Sequence, residues 1–519
     1  MPRAPRLTAV AAVLAGSVLL SRVLGYVREA VLARELGASA ATDAYYAAFQ
    51  IPDLLNYFLA GGALSIAFVP YYSRVLAQQG AAAAELLLAK VTGTMGALTL
   101  AATVLLWWQA EALVALQFPR FAPETQALTV RLTRIVLPAQ IFFITGGILR
   151  AALMSQGRFA TQALAPLLYN GMIIAGGLLL APQLGAEGFA WGALVGAAIG
   201  AFGVAWIDAI VGLKMRSWLR FAPFDKQVLS YLAVAAPLML GLSLSATDEW
   251  YDRWFGGLLA AGTVAQLTFA RRLMQLPVAV VGQPIATAAL PTLSRLWSEG
   301  RPDALHGVMR STLQVGIGLS VIAAGASFVL AEPIVAVVYR RGAFGAADVV
   351  AVARLLQIFS IGVPAWVVQQ IAVRAFYARS DTWRPMLLGT CMSLGAIPVY
   401  LALGPRFGGA GLAGAGVLAM TINALATLAL ARRLHGGPPL LPLAVSAARA
   451  LVIAGLAAVP AAALLRGSET TAAALRDLVL GGAVYGAISL IFVFLIGDAP
   501  LKDSVRRITR RLIPRRGPP

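Results

Sequence analysis

The sequence predicts an all-α polytopic membrane protein of about fourteen transmembrane helices, arranged as two pseudo-symmetric six-helix lobes followed by two C-terminal helices. Three observations carry this. Of the 519 residues, 59% are hydrophobic and only 12% charged, more apolar surface than a soluble fold can hide. Apolar runs of about 20 residues, enough to cross a ~30 Å hydrocarbon core, recur almost from end to end. Backbone groups in lipid must be satisfied internally, and these Ala/Leu/Val/Gly-rich runs are too long for barrel strands, which leaves helices. Third, the block Gly185-Ala186-Glu187-Gly188-Phe189-Ala190 returns as Gly408-Gly409-Ala410-Gly411-Leu412-Ala413, 223 positions later.

Taken in order, the opening Arg3 and Arg6 precede an apolar stretch with no clear small-residue cleavage site, so it reads as an uncleaved first span. Spans then fall near 7–33, 41–71, 85–109, 127–152, 162–181 and 186–212, the first lobe. Those near 228–250, 264–294, 308–331, 349–372, 385–404 and 408–431 form the second. Pro70–Arg74 echoes Pro291–Arg295, and Ala152–Ser155 echoes Ala375–Ala378, at nearly the same offset. Six spans per half is an even number, so the repeat is parallel, about an axis along the membrane normal. Two further spans, 443–465 and 475–497, lie outside it. The expected divisions are 1–222, 223–438, 439–498 and a basic tail, 499–519.

The net charge of +19 would suggest nucleic acid in a soluble chain. Here Lys214, Arg216, Arg220, Lys226, Arg295, Arg301, Arg310, Arg432 and Arg433 fall in segments that an even span count places on one side. That is the positive-inside pattern and puts both termini in the cytoplasm, although Arg340 and Arg341 fall on the opposite side. The tail carries Lys502, Arg506, Arg507, Arg510, Arg511, Arg515 and Arg516, which suits anionic headgroups, so membrane lipids are expected partners and nucleic acid is not.

Cys391 is the one cysteine and His306 and His435 the two histidines, which excludes an internal disulfide and makes a Cys/His metal site implausible. No cofactor is implied. Nor is an enzyme, since no paired carboxylates or Ser/His/Asp set presents itself. Gly409, Gly411 and Gly414 fit GxGxxG, but no strand precedes them, and small residues in an apolar helix serve close helix packing. Trp107, Trp108 and Trp383 sit near span ends, as interfacial aromatics do.

Ionisable residues inside the spans need a reason, because a charge at the bilayer centre costs about 2.5–3.5 kcal/mol on insertion scales. The opening two spans of the first half carry Arg22, Arg28, Glu29, Asp43 and Asp53. Those of the second carry Asp248, Glu249, Asp252, Arg253, Arg271 and Arg272. The competing account is snorkelling to headgroups or mutual pairing, as Arg28 with Glu29 or Asp252 with Arg253. On an unbroken helix Arg22 and Arg28, six apart, diverge by roughly 120°, unless Gly25 bends the helix. Arginines lining an aqueous cavity suit phosphate, so the cargo is expected to be anionic. Pro52 with Gly61-Gly62, and Pro277 with Gly282, mark places where spans can bend.

Residues 21–29 (SRVLGYVRE), 41–46 (ATDAYY), 67–70 (AFVP), 166–170 (PLLYN), 272–277 (RLMQLP), 341–344 (RGAF) and 375–378 (AFYA) with Asp381 and Pro385 resemble the bacterial lipid II flippase family MurJ, also called MviN. The likeness spans nearly the whole chain. It implies the fourteen-helix arrangement of the multidrug/oligosaccharidyl-lipid/polysaccharide transporter superfamily, with two lobes around a cationic cavity. It further implies that Arg22, Arg28 and Arg272 engage the diphosphate and sugar head, that Glu29 and Asp43 are functional acids, and that the extra helix pair grooves the polyprenyl tail. The expected function is translocation of lipid II, by alternating access, from the cytoplasmic to the outer leaflet of the inner membrane for cell-wall synthesis. Whether a counter-ion takes part is left open. Asn56, Gly61 and Gln275 depart from the family pattern, where some members carry an arginine, a glutamate and an acid. That leaves two alternatives: a flippase for another polyprenyl-linked glycan, or a multidrug or cation antiporter of the superfamily. The antiporters typically stop at twelve helices and favour acidic cavities. A non-transporting scaffold or an integral enzyme is disfavoured by charge distributed over both repeats.

Overall fold

The computed structural model describes residues 7–59, 63–213, 219–243, 247–467 and 470–512, and among these there is no strand. The helices are α1 Leu7–Leu36, α2 Ala40–Ala48, α3 Gln50–Leu59, α4 Ala63–Trp108, α5 Ala110–Gln117, α6 Pro123–Val136 and α7 Ala139–Ser155. Next come α8 Ala160–Leu184, α9 Ala186–Gly196, α10 Val204–Leu213, α11 Lys226–Ser243, α12 Thr247–Gly256 and α13 Thr263–Pro277. The chain ends with α14 Gln283–Ser298, α15 Pro302–Val329, α16 Ala331–Tyr339, α17 Ala346–Tyr377, α18 Trp383–His435, α19 Leu440–Ala463, α20 Thr471–Ile496 and α21 Ala499–Leu512. The fold is all-α and polytopic, as expected. Ten helical segments among the described residues are long and apolar enough to cross a membrane. One of them, α18, is broken at Gly408 (φ +60°), giving two arms where two spans were expected.

Apolar side chains on the outside of these helices identify their solvent. Leu179, Ile207, Leu451, Val459 and Ile491 are more than half exposed, a surface that a bilayer covers and water does not. The chain packs as two compact units, Met1–Ala265 with Arg341–Phe344, and Gln266–Arg340 with Gly345–Pro519. In the first, Phe68, Tyr72, Leu87, Ile148, Leu153 and Tyr231 make one core, and Ile51, Leu55, Val114, Phe118 and Leu137 another. In the second, Leu293, Leu305, Leu313, Val367, Ile371 and Leu428 interlock. The boundary expected at 222/223 belongs to the sequence repeat, which packing does not measure.

The backbone repeats at the same spacing as the sequence. Left-handed turns at Gly37, Gly80, Gly157 and Gly185 recur at Gly262, Gly300, Ser380 and Gly408, offsets of 225, 220, 223 and 223 residues. Ser380 (φ +59°) is the one non-glycine with positive φ among the described residues. It stands where the first half has Gly157, so the turn is kept although a side chain strains it. Gly411, in the GxGxxG run, has a helical place where an added Cβ would lie 2.1 Å from the Leu403 carbonyl oxygen. Small size, not dinucleotide binding, is what that position requires.

The RGAF run closes a loop in the first unit. Ala343 N–H donates to the Arg34 carbonyl at 2.8 Å. A Cβ on Gly342 (φ +57°) would lie 2.4 Å from the same oxygen, and one on Gly37 (φ +65°) would lie 2.8 Å from the Ala343 oxygen. Both positions need a left-handed backbone and no side chain.

Candidate functional site

Arg28 and Glu29 sit on α1, which runs unbroken through Gly25. The helix therefore keeps Arg22 and Arg28 on different faces: Arg22 is exposed, Arg28 half-buried and Glu29 buried. Arg28 Nη2 donates to Glu29 Oε1 at 2.6 Å and Nη1 to Asn170 Oδ1 at 3.1 Å. Tyr46 Oη, on α2, donates to the other Glu29 oxygen at 2.5 Å. Asn170, on α8, is itself oriented by donating to the Pro166 carbonyl at 3.0 Å.

This arrangement has two consequences. The adjacent carboxylate offsets the charge of an arginine inside an apolar span. The guanidinium is also aimed, while among the described residues two of its five N–H groups are used by protein acceptors. The remaining donors suit a phosphate oxygen.

The structure places Asp43 differently. Its side chain is buried, with Oδ2 accepting from Gly262 N–H at 2.5 Å and Oδ1 from Ala265 N–H at 2.7 Å. It thus covers amides at the start of α13, where a helix leaves donors unpaired and its dipole favours an anion. Nearby, Arg253 Nη1 donates to Asp53 Oδ2 at 2.7 Å, and Tyr57 packs edge-on against Trp250 at 5.2 Å. Asn56 is half-buried on α3. α2 stops at Ala48 and α3 starts at Gln50, so this span is interrupted just before Pro52. Gly61 and Gly62 lie outside the described residues.

In the second unit Arg272 is half-buried on α13, its Nη1 donating to Gln275 Oε1 at 3.4 Å. The neutral amide is a weaker partner than a carboxylate at that position would be. α13 ends at Pro277 and gives way to a π-helical turn, Val278–Gly282, a local loosening where a bend was expected. Arg271 is buried, with its guanidinium 4.7 Å from the Phe359 ring centroid.

Sequence reasoning passed over Tyr46 and Asn170 as partners of the Arg28–Glu29 pair. A polar amide within the apolar run of α8 was the available signal. Among the described residues no group of three His, Cys, Asp or Glu could hold a metal ion.

A family model described as lipid II flippase MurJ matches residues 32–480. A relative from Rhizobium meliloti (strain 1021), described as a probable lipid II flippase MurJ, is 30% identical over 520 residues, covering 96% of each chain. A lipid II flippase MurJ from Burkholderia cenocepacia is 31% identical over 381 residues, covering 72% of this chain and 73% of its own. Among solved structures, a lipid II flippase MurJ in an inward closed conformation superposes with TM-score 0.78 at 22% identity, covering 92% of this chain and 98% of its own. An inward-facing multidrug resistance transporter of the MATE family gives TM-score 0.66 at 15% identity, covering 79% and 94%.

Proposed function

This chain belongs to the lipid II flippase MurJ family, and on that premise we propose how its own residues handle the substrate. It is a transporter and not an enzyme: a lipid II flippase serving peptidoglycan synthesis. Its cargo joins a diphosphate to a long polyprenyl chain, and the two ends call for different surroundings.

Arg28 takes the phosphate. The observation that supports this is a guanidinium fixed by Glu29 and Asn170 with donors to spare. Glu29 then has two tasks. It lowers the cost of keeping Arg28 in the membrane while the site is empty, and it competes with phosphate for the same guanidinium, so that binding remains reversible. A transporter needs both, since cargo held too tightly is not released. Arg22 and Arg272 contribute further cations to the diphosphate and sugar head. Asp43 supports transport indirectly, by holding the start of α13.

The headgroup crosses by alternating access while the tail stays in lipid, and α19 and α20 guide that tail. Both termini lie in the cytoplasm and the chain resides in the inner membrane. An interior-negative potential favours outward movement of net negative charge by about 2.3 kcal/mol per charge per 100 mV, so the potential is one sufficient source of drive, with or without a counter-ion.

The test is rescue of a bacterial strain depleted of its own lipid II flippase, with wild type, Arg28→Ala and Arg28→Lys at matched expression. Wild type should rescue and Arg28→Ala should not. Arg28→Lys should rescue partially, because lysine keeps the charge and loses the fork. Full rescue by Arg28→Ala would remove Arg28 from the mechanism.

A further inference from the structure

The last described helix, α21, begins three residues after the final apolar helix, α20, has ended. Its sequence, APLKDSVRRITRRL, has five basic residues and one acid. At 100° per residue, Leu501, Val505, Ile508 and Leu512 fall within a stripe about 60° wide, and the basic residues occupy the opposite side.

The structure fastens the apolar side to the bundle. Leu501 is buried among Ile453 of α19, Val493 of α20 and α15, where a Cβ added to Gly318 would lie 2.8 Å from Leu501 Cδ2. The entry turn is held as well. Asp498 Oδ1 accepts from Leu501 N–H at 3.1 Å and Oδ2 from the Ser446 hydroxyl at 2.5 Å. Gln314 Nε2 in turn donates to Ser446 Oγ at 3.0 Å. The helix cannot swing freely on its linker.

Its cations are therefore set at a definite depth. Lys502 Nζ donates to the Leu495 carbonyl at 3.3 Å, and the Arg506 guanidinium lies 5.9 Å from the Phe494 ring centroid. Phe494, Leu495 and Ile496 are 36%, 63% and 37% exposed, so they are the lipid-facing end of a helix leaving the hydrocarbon. Cations against that end sit at the level of lipid phosphates. The one acid on α21, Asp503, lies 3.9 Å from Arg506 with both side chains mostly exposed, a pair worth too little to neutralise the face.

We propose that Lys502, Arg506 and Arg507 form a binding surface for anionic phospholipid at the leaflet where α20 ends. The observation that carries it is the joint position of a docked amphipathic helix and an exposed apolar helix end. Anchored through Asp498, Ser446 and Gln314, the surface ties α15, α19 and α20 to the charge of that leaflet. The ligand is bulk phospholipid, so the proposal stands or falls apart from lipid II transport.

The test uses the full chain, wild type and the triple variant Lys502→Gln/Arg506→Gln/Arg507→Gln. Native mass spectrometry compares retention of phosphatidylglycerol and phosphatidylcholine. Each headgroup-level cation is worth about fivefold in attraction, so at low salt the triple variant should lose up to about a hundredfold of the preference for phosphatidylglycerol. In nanodiscs, amides of residues 502–509 should exchange more slowly when phosphatidylglycerol is present, and salt should abolish the difference. The variant should still fold with α21 docked, because Leu501, Asp498, Ser446 and Gln314, which fasten it to the bundle, are unchanged. Equal retention of both lipids by wild type, or a preference that survives in the triple variant, would overturn the proposal.

Discussion

Replacing Asp43 with alanine separates a structural carboxylate from a transport acid. The Asp43 oxygens receive Gly262 N–H at 2.5 Å and Ala265 N–H at 2.7 Å, and all three residues are buried. Alanine would leave two buried amides without acceptors, at about 1–3 kcal/mol each. Loss of an anion from the start of a helix adds up to about 2 kcal/mol. The total, about 2–8 kcal/mol, is comparable with the whole net stability of an ordinary domain, about 5–15 kcal/mol. Asp43→Asn keeps one acceptor oxygen but turns an N–H₂ group towards the second amide, so it should recover part of the loss. The assay is thermal unfolding of detergent-purified protein by intrinsic fluorescence, beside the yield of folded monomer. Asp43→Ala should melt several degrees below wild type, with Asp43→Asn between them. If Asp43→Ala melted like wild type yet failed to support transport, the carboxylate would be a transport acid and the amide-capping account would be wrong.

Three further outcomes follow from the same geometry. Asn170→Ala removes a 3.1 Å hydrogen bond to Arg28 worth about 1.5–3 kcal/mol for a charged donor; it should weaken lipid II binding about tenfold or more in a titration while the protein still folds. Gly342→Ala forces a side chain into a left-handed turn and against the Arg34 carbonyl, with a Cβ–O separation of 2.4 Å; the backbone term alone is about 1–2 kcal/mol, so a lowered melting temperature is expected, and an unchanged one would contradict the clamp. On α4, Lys90 Nζ lies 2.5 Å from Asp225, which precedes α11, and holds its carboxyl below the usual carboxylate range, mainly through that hydrogen bond. A carboxyl depressed in the folded state stabilises above its unfolded pKa of about 3.9 and loses that contribution as pH falls through the folded value. Unfolding followed against pH should show this acid-side loss in wild type and a smaller one in Lys90→Met.

How far the sequence reached can be judged at particular residues. Hydropathy locates helices well because the bilayer sets their length, and the helical period anticipated that Arg22 and Arg28 diverge. The block repeated at Gly185 and Gly408 reflects a shared backbone turn, φ +56° and +60°, which is why those glycines stand at matching places. Gly25 leaves α1 unbroken, since a single glycine costs only about 1 kcal/mol and a long helix absorbs it. What spacing could not supply were the partners. Asn170 lies 142 residues from Arg28, and Ala265 lies 222 from Asp43; no periodicity joins residues so far apart. Asp43 in particular reads in the sequence as one more intramembrane acid, and only the amides opposite it reveal a cap.

The measurement that tests the account most directly is translocation of lipid II by the purified chain in proteoliposomes, comparing wild type with Arg28→Ala. The readout is lipid II made accessible on the far leaflet under an imposed potential. Wild type should expose lipid II at a rate that grows with potential, and Arg28→Ala, compared at matched amounts of folded protein, should fall to the protein-free background. Equal rates for the two would contradict the claim that the aimed Arg28 guanidinium is what engages the diphosphate.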